Sequence, residues 1–395
     1  MQLTLTEMQE MIETSVLEFL ANEYDFLKRA NSLKAPNAIS PAIWQGFADM
    51  GWLGLPLAEA DGGIDGGAME CGLLMRAFGR HLVIEPYINS VLLATRLLAA
   101  LGSVDQRAAW LVSLVDGSRR IVLAHDEADK SDCWAARATR AKSKGSGYTL
   151  DGKKSLVAGA PGADGVLVSA RREDGTHALF LLPRDTPGMT FTEHRALDGS
   201  RVADLTLEAV EVDAATLLGN GEDITEMLER FLCEAAVSQC WEASGAMQAA
   251  LEQTAAYTKE RVQFGQSLSK FQVVQHRLAE MAVCCEEALS ACQLAALHID
   301  NDPASAKAMA ALAKSKVGRG ARLVAQDAVQ LHGAMGVSEE LAIASYFRKL
   351  LAFSQQYGST AWNGERYGEL MLDRNEYRVS RVLPTHQEQR IQHAA

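Results

Sequence analysis

The chain has 395 residues, 48% of them hydrophobic, which is enough to bury a large core spread over two or three domains. A formal net charge of -12 argues against nucleic acid as a partner, because phosphate backbones demand a basic face; a local arginine site for an anionic ligand stays open. Seven cysteines (Cys71, Cys133, Cys233, Cys240, Cys284, Cys285 and Cys292) show no C-x-x-C spacing, so they read as reduced thiols of a cytoplasmic protein, with neither a disulfide frame nor a metal site.

The opening stretch MQLTLTEMQEMIE has neither the basic nor the apolar region of a secretory signal. No apolar run is expected to reach membrane-spanning length. From residue 4 to about 117 the text is helical. Thr6 is the candidate N-cap of a first helix whose Met8, Ile12, Val16 and Leu20 recur at helical spacing. A short helix ends near Gly51, and the glycine-rich stretch LGLPLAEADGGIDGG follows as a connector. Helices are then expected at Ala68–Leu82, Ile88–Leu101 and Val104–Val115.

Composition shifts near Ile121. The runs IVLAHDE, GYTLDGKKSLVAGA, DGVLVSAR, HALFLLP and ADLTLEAVEV read as strands separated by Gly, Asp and Pro. Asp151-Gly152 is expected to mark a hairpin turn. After Gly219 the pattern turns helical again, with long helices over 223–261, 270–299, 303–331 and 339–353. Short loops between them specify an antiparallel four-helix bundle. The expected division is a helical domain over 1–120, a β-domain over 121–219, a bundle over 220–376 and a mobile tail over 377–395.

The chemistry-bearing text lies in two pieces of the bundle, YTKERVQFGQSLSKFQVVQH over 257–276 and VQLHGAMG over 329–336. Arg261 offers a planar fork suited to a bidentate grip on a diphosphate. Gly265 is expected to break the helix beside it. Gly333 and Gly336 let backbone approach a ligand, and Gln330 supplies a neutral donor and acceptor. Read singly, each piece is an ordinary helix end or interhelix loop.

Together, in this order, the two pieces resemble the flavin-binding half of the acyl-CoA dehydrogenase family. The connector after Trp52 is similar to that family's text as well. The resemblance covers essentially the whole chain and implies its fold: mostly α with a central β-domain, the helical, β and four-helix-bundle domains in that order. It implies FAD, bound by Arg261, Gln263, Phe264 and Gln272 from the first piece and by Gln330, His332 and Gly333 from the second. His125, Ser131 and Ser359 are implied as further flavin contacts. The chemistry implied is α,β-dehydrogenation of an acyl-CoA thioester, in which a carboxylate removes the α-proton and the flavin takes the β-hydride. The implied partners are electron-transfer flavoprotein and other copies of the chain in a homotetramer, or a second dehydrogenase chain in a heterotetramer.

The pattern fails at several positions. The family's usual base is a glutamate at the position held here by Tyr357, and a phenol is a poor base for an α-proton. Some members place the glutamate early in the first bundle helix, where this chain has Ala235, flanked by Glu234. Glu242 stands two turns further along the same face in apolar text, which would raise its pKa toward a general base's working range. Its ordinary reading is a buried carboxylate paired with a neighbouring helix. Glu242 is thus the leading candidate base and Glu234 the second. His125 replaces the family's flavin-contacting threonine, and Leu156-Val157-Ala158 replaces its Trp-Ile-Thr. Such losses also resemble the small subunits of two-subunit bacterial dehydrogenases of the pimeloyl-CoA type, so a non-catalytic or half-catalytic subunit is the alternative reading. Oxidase chemistry on the same fold stays open.

Overall fold

Thr6 begins the fold as expected. Its hydroxyl accepts from the Gln9 backbone N–H while the Gln9 side chain returns the bond, closing a capping box. The helix it starts, α1 (Glu7–Glu23), buries Ile12, Val16 and Leu20 and leaves Met8 exposed. The computed structural model describes residues 4–34, 37, 39–128 and 138–373. Next come α2 (Phe26–Ser32) and α3 (Pro41–Asp49), the latter with Ser40 as N-cap and a left-handed Gly51 just past its end. Two 3₁₀ turns punctuate the connector before α4 (Ala68–His81). The helix expected over Ile88–Leu101 is in fact two. Ile88–Thr95 is a π-helix, and α5 (Arg96–Leu101) continues it before α6 (Val104–Val115). Inside the wider turn the Thr95 hydroxyl donates to the Ser90 carbonyl five residues back.

The β-domain holds β1 (Ile121–Ala124), β2 (Arg140–Lys144), β3 (Gly147–Ala158), β4 (Gly165–Arg172), β5 (His177–Pro183), β6 (Met189–Arg195) and β7 (Arg201–Asp213). They form one sheet in the order β1-β4-β2-β3-β7-β6, with β5 paired to β4. Strands β2 and β6 carry mostly exposed side chains, so their sequence lacks the apolar alternation that marks the others. The hairpin expected at Asp151-Gly152 is elsewhere. Gly152 lies inside β3 at a register shift against β7, and the β2–β3 turn is Gly145-Ser146, with Gly145 left-handed. A β-bulge and a turn call for glycine alike.

The bundle begins with α7 (Thr225–Glu260), whose 36 residues span about 54 Å at 1.5 Å per residue. It ends at Arg261, its C-cap, so the helix stops four residues before the expected breaker Gly265. A small hairpin, β8 (Val262–Gln263) with β9 (Gln266–Ser267), leads into α8 (Gln272–Asn301), α9 (Pro303–His332) and α10 (Ile343–Phe353). A further helix, α11 (Thr360–Asp373), extends the expected four. By length and composition α8 could cross a membrane, which corrects the expectation that no run was long enough; its packing on α7 and α9 makes it a bundle helix. Helices α7, α4 and α9 are joined in one apolar core that also takes in α1, α8 and α10.

Where α4 crosses α7, glycine brings the two backbones into contact. A Cβ on Gly79 would lie 1.7 Å from the Glu242 carbonyl oxygen, and one on Gly245 would lie 1.9 Å from that of Arg76. Gly72 similarly meets the indole of Trp241, which is fully buried. This crossing fixes the segment of α7 that carries the candidate base.

Candidate active site and flavin contacts

Ala235, Gln239 and Glu242 stand at i, i+4 and i+7 on α7 and so share one face. The Glu242 carboxylate is largely buried and is paired by Lys349 of α10, whose Nζ lies 2.7 Å from its Oε1. Burial raises its pKa above the ordinary carboxylate value, while Lys349 pulls the other way without cancelling the shift. Lys349 also donates to the Val83 carbonyl just past α4, so the pair ties three elements together. Glu234 projects differently. One of its oxygens meets Arg96 at 2.6 Å and the other meets Arg230 at 3.1 Å. That carboxylate serves to hold α5 against α7.

Tyr357 follows α10 with φ +52, a left-handed conformation that non-glycine residues seldom adopt. Burial pushes its phenol well above the usual tyrosine value, and the charges of Asp126 and Glu242 push the same way. It therefore stays protonated, and the field of Glu242 reaches it. Beside it the Gln239 amide donates to Gln356, bridging α7 to the segment after α10. Behind Gln239, fully buried Lys314 of α9 donates to the Gln239 Oε1 at 2.8 Å and to the Phe353 carbonyl at 2.5 Å. Burial lowers its pKa to about 7. Neither lysine was anticipated from the sequence, although a lysine among the alanines and valines of α9 or the apolar residues of α10 is a signal of its own. Gln239 was reachable too, one turn beyond Ala235.

In the β-domain, His125 is buried and its Nδ1 lies 2.8 Å from the Ser169 hydroxyl. Fully buried Lys154 joins them: its Nζ donates to the His125 carbonyl, the Ser169 hydroxyl and the Glu127 carboxylate. That ion pair and the bonds from Ala138 and Thr139 hold Glu127 well below the usual carboxylate range, despite its burial. His125 is thus tied to the sheet through its Nδ1 and its carbonyl. Leu156, by contrast, is 64% exposed and left-handed, presenting its side chain off the sheet. Ser131 and Cys133 lie outside the described residues.

At the far end of α7, Arg261 is exposed and, among the described residues, has no carboxylate partner. The following hairpin turns on Phe264 and Gly265, with φ of +54 and +79, a two-residue turn with both central residues left-handed. Phe264 is 90% exposed at its tip. Its ring meets that of Phe271 edge-on, with centroids 6.2 Å apart. Gln263, Gln272 and Gln330 are exposed as well, and Gly333 is left-handed with open space where a Cβ would go. His332 is buried: its ring stacks on Tyr257 at 4.3 Å and its Nδ1 meets the Ala328 carbonyl at 2.8 Å. It ties the end of α9 to α7 through that stack. Ser359 caps α11, its hydroxyl accepting from the Trp362 N–H at 3.2 Å.

The donor set therefore fits the diphosphate end of a flavin dinucleotide. A guanidinium with no carboxylate partner among the described residues, three exposed amides and an open glycine backbone suit phosphate and ribose oxygens. In the β-domain, His125 stands where the family has a flavin-contacting threonine, its ring fixed through Nδ1 by Ser169. Arg261→Ala should lower flavin occupancy, the lost charge-assisted contact costing about 1.5–3 kcal/mol. Occupancy equal to the wild type, measured by absorbance of purified protein, would remove Arg261 from the site.

Family models for the N-terminal, middle and C-terminal domains of acyl-CoA dehydrogenases match residues 6–118, 123–210 and 225–369. A Bacillus subtilis protein named probable acyl-CoA dehydrogenase YngJ is 29% identical over 361 residues, 88% of this chain and 93% of its own length. The acyl-CoA dehydrogenase FadE27 of Mycobacterium tuberculosis is 30% identical over 77% of this chain and 81% of its own. Among solved structures, the steroid ACAD Tcur3481–Tcur3483 superposes with a TM-score of 0.85 at 29% identity, covering 94% of this chain and 100% of that one. The ChsE4–ChsE5 complex from Mycobacterium tuberculosis gives 0.86 at 27% identity, over 94% and 99%. With three domain models matched in order and the architecture shared, the chain belongs to the acyl-CoA dehydrogenase family.

Proposed function

We propose that the chain carries out FAD-dependent α,β-dehydrogenation of an acyl-CoA thioester with Glu242 as the proton acceptor, in an oligomer where the Arg261 hairpin reaches the flavin of a neighbouring subunit. One observation carries this reading. Glu242 is a largely buried carboxylate on the same helix face as Ala235, held by Lys349 at 2.7 Å, and burial raises its pKa. Lys349 favours the ionised form that a base needs, while burial keeps its proton affinity high. Glu234 is less suited, because an arginine holds each of its oxygens. Electron-transfer flavoprotein is the acceptor we propose for the reducing equivalents.

A second reading draws on the replacement of the family's flavin-contacting threonine by His125 and on the exposed hairpin. The chain would then complete a heteromeric dehydrogenase, lending Arg261 to its partner's flavin while binding none of its own. Two-chain relatives such as ChsE4–ChsE5 and Tcur3481–Tcur3483 give that reading a precedent. Flavin content of the chain expressed alone separates the two. A yellow protein with one flavin per chain, bleached anaerobically by an acyl-CoA, supports the enzyme. A colourless protein that becomes competent only with a second dehydrogenase chain supports the subunit role.

A further inference from the structure

Beside the candidate base on α7, a chain of hydrogen bonds runs in one direction. Lys314 Nζ has hydrogens and lies against two carbonyl oxygens, those of Gln239 and Phe353, with the Phe353 ring 3.4 Å from the nitrogen. Because the Gln239 oxygen accepts from Lys314, its amide nitrogen is the end left to face Gln356, where it donates to Oε1. That in turn fixes the Gln356 amide. Its oxygen is taken, and its NH₂ has no acceptor among the described residues. A buried lysine has thus set the orientation of two glutamine side chains, where an isolated amide could flip. The chain ends in a donor next to Tyr357, on the segment facing the α7 surface of Ala235, Gln239 and Glu242.

We propose that this donor selects an acyl group carrying a hydrogen-bond-accepting oxygen, a carboxylate or ketone, over a plain hydrocarbon chain; the proposal rests on the acyl-CoA reading above. A hydrocarbon would cover the Gln356 NH₂ and leave it unpaired, whereas an oxygen would complete the chain Lys314, Gln239, Gln356, ligand. Gln239 and Gln356 are the specificity residues, and Lys314 is the positioning residue that acts through them.

The test is calorimetry on the full chain with unreactive CoA thioethers of equal length whose chains end in a methyl, a ketone or a carboxylate. At least one oxygenated ligand should bind about tenfold or more tightly than the methyl one, and which of them does so identifies the acceptor. Gln356→Leu should abolish that preference; because it also leaves the buried Gln239 NH₂ without its acceptor, some loss of melting temperature is expected, and binding of free CoA is measured beside it to show that the variant is folded. Lys314→Met should weaken it by freeing the Gln239 amide to turn. Equal affinities for all three ligands, or a preference that survives Gln356→Leu, would overturn the inference and leave the proposed reaction standing. If none of the thioethers binds, and free CoA does not either, the acyl-CoA reading itself fails.

Discussion

In Glu242→Gln, substrate-driven bleaching of the flavin is expected to slow by about a hundredfold or more, the usual scale for loss of a general base. Glutamine keeps the shape and leaves an oxygen for Lys349 to donate to, so flavin and acyl-CoA binding should persist. Removing the charge from a buried pair also costs stability, because the Lys349 ammonium loses its counter-ion. Melting and binding must therefore be measured beside the rate. In the wild type the rate should rise with pH through the pKa of Glu242, since only the ionised carboxylate accepts a proton. Burial places that limb above the ordinary carboxylate range, and it should be missing from the variant's residual rate. A variant that bleaches at the wild-type rate would exclude Glu242, and the same result from Glu234→Gln would point to a base on another chain.

Gly79→Ala should cost the fold dearly. Alanine gains about 1 kcal/mol of helix propensity over glycine. Against this, its Cβ would sit 1.7 Å from the Glu242 carbonyl oxygen, and a backbone carbonyl in mid-helix cannot swing aside. The helices α4 and α7 would have to separate, and overpacking of this kind costs about 1–3 kcal/mol, sometimes more. Gly245→Ala should behave alike, its Cβ meeting the Arg76 carbonyl oxygen. Chemical denaturation of both variants checks this. Wild-type midpoints would mean that the helices do not touch there. Because Gly79 presses on the residue that carries the candidate base, a folded Gly79→Ala protein should also show altered flavin bleaching.

The fold was legible wherever burial imposes a period. The helices α1, α4 and α6 and the strands with apolar runs could be read from spacing alone. Exposed β2 and β6 could not, because no buried face constrains their side chains. Gly152 was misread for a related reason: a glycine reports that the backbone does something unusual, without saying whether it turns or bulges. At the site, Arg261 and the turn at Gly265 were visible as a motif, while the two short strands that frame the turn were not. The partners that decide whether a carboxylate is a base were not, since Lys349 lies 107 positions from Glu242 and Arg96 lies 138 from Glu234. His332 shows the converse. It belongs to the motif, yet its stacking on Tyr257 could not be read from the 75 positions between them.

Helix α7 is unbroken from Thr225 to Glu260. The 19 steps from Glu242 to Arg261 therefore correspond to about 28 Å along one axis. No flavin spans that distance between its ring and its diphosphate. If both residues work as proposed, each chain serves two flavins, one with its carboxylate and another with its arginine. Damage is then shared across the assembly. A chain lacking the base and a chain lacking the arginine would each be defective alone, yet mixed together they would rebuild an intact site from their sound halves.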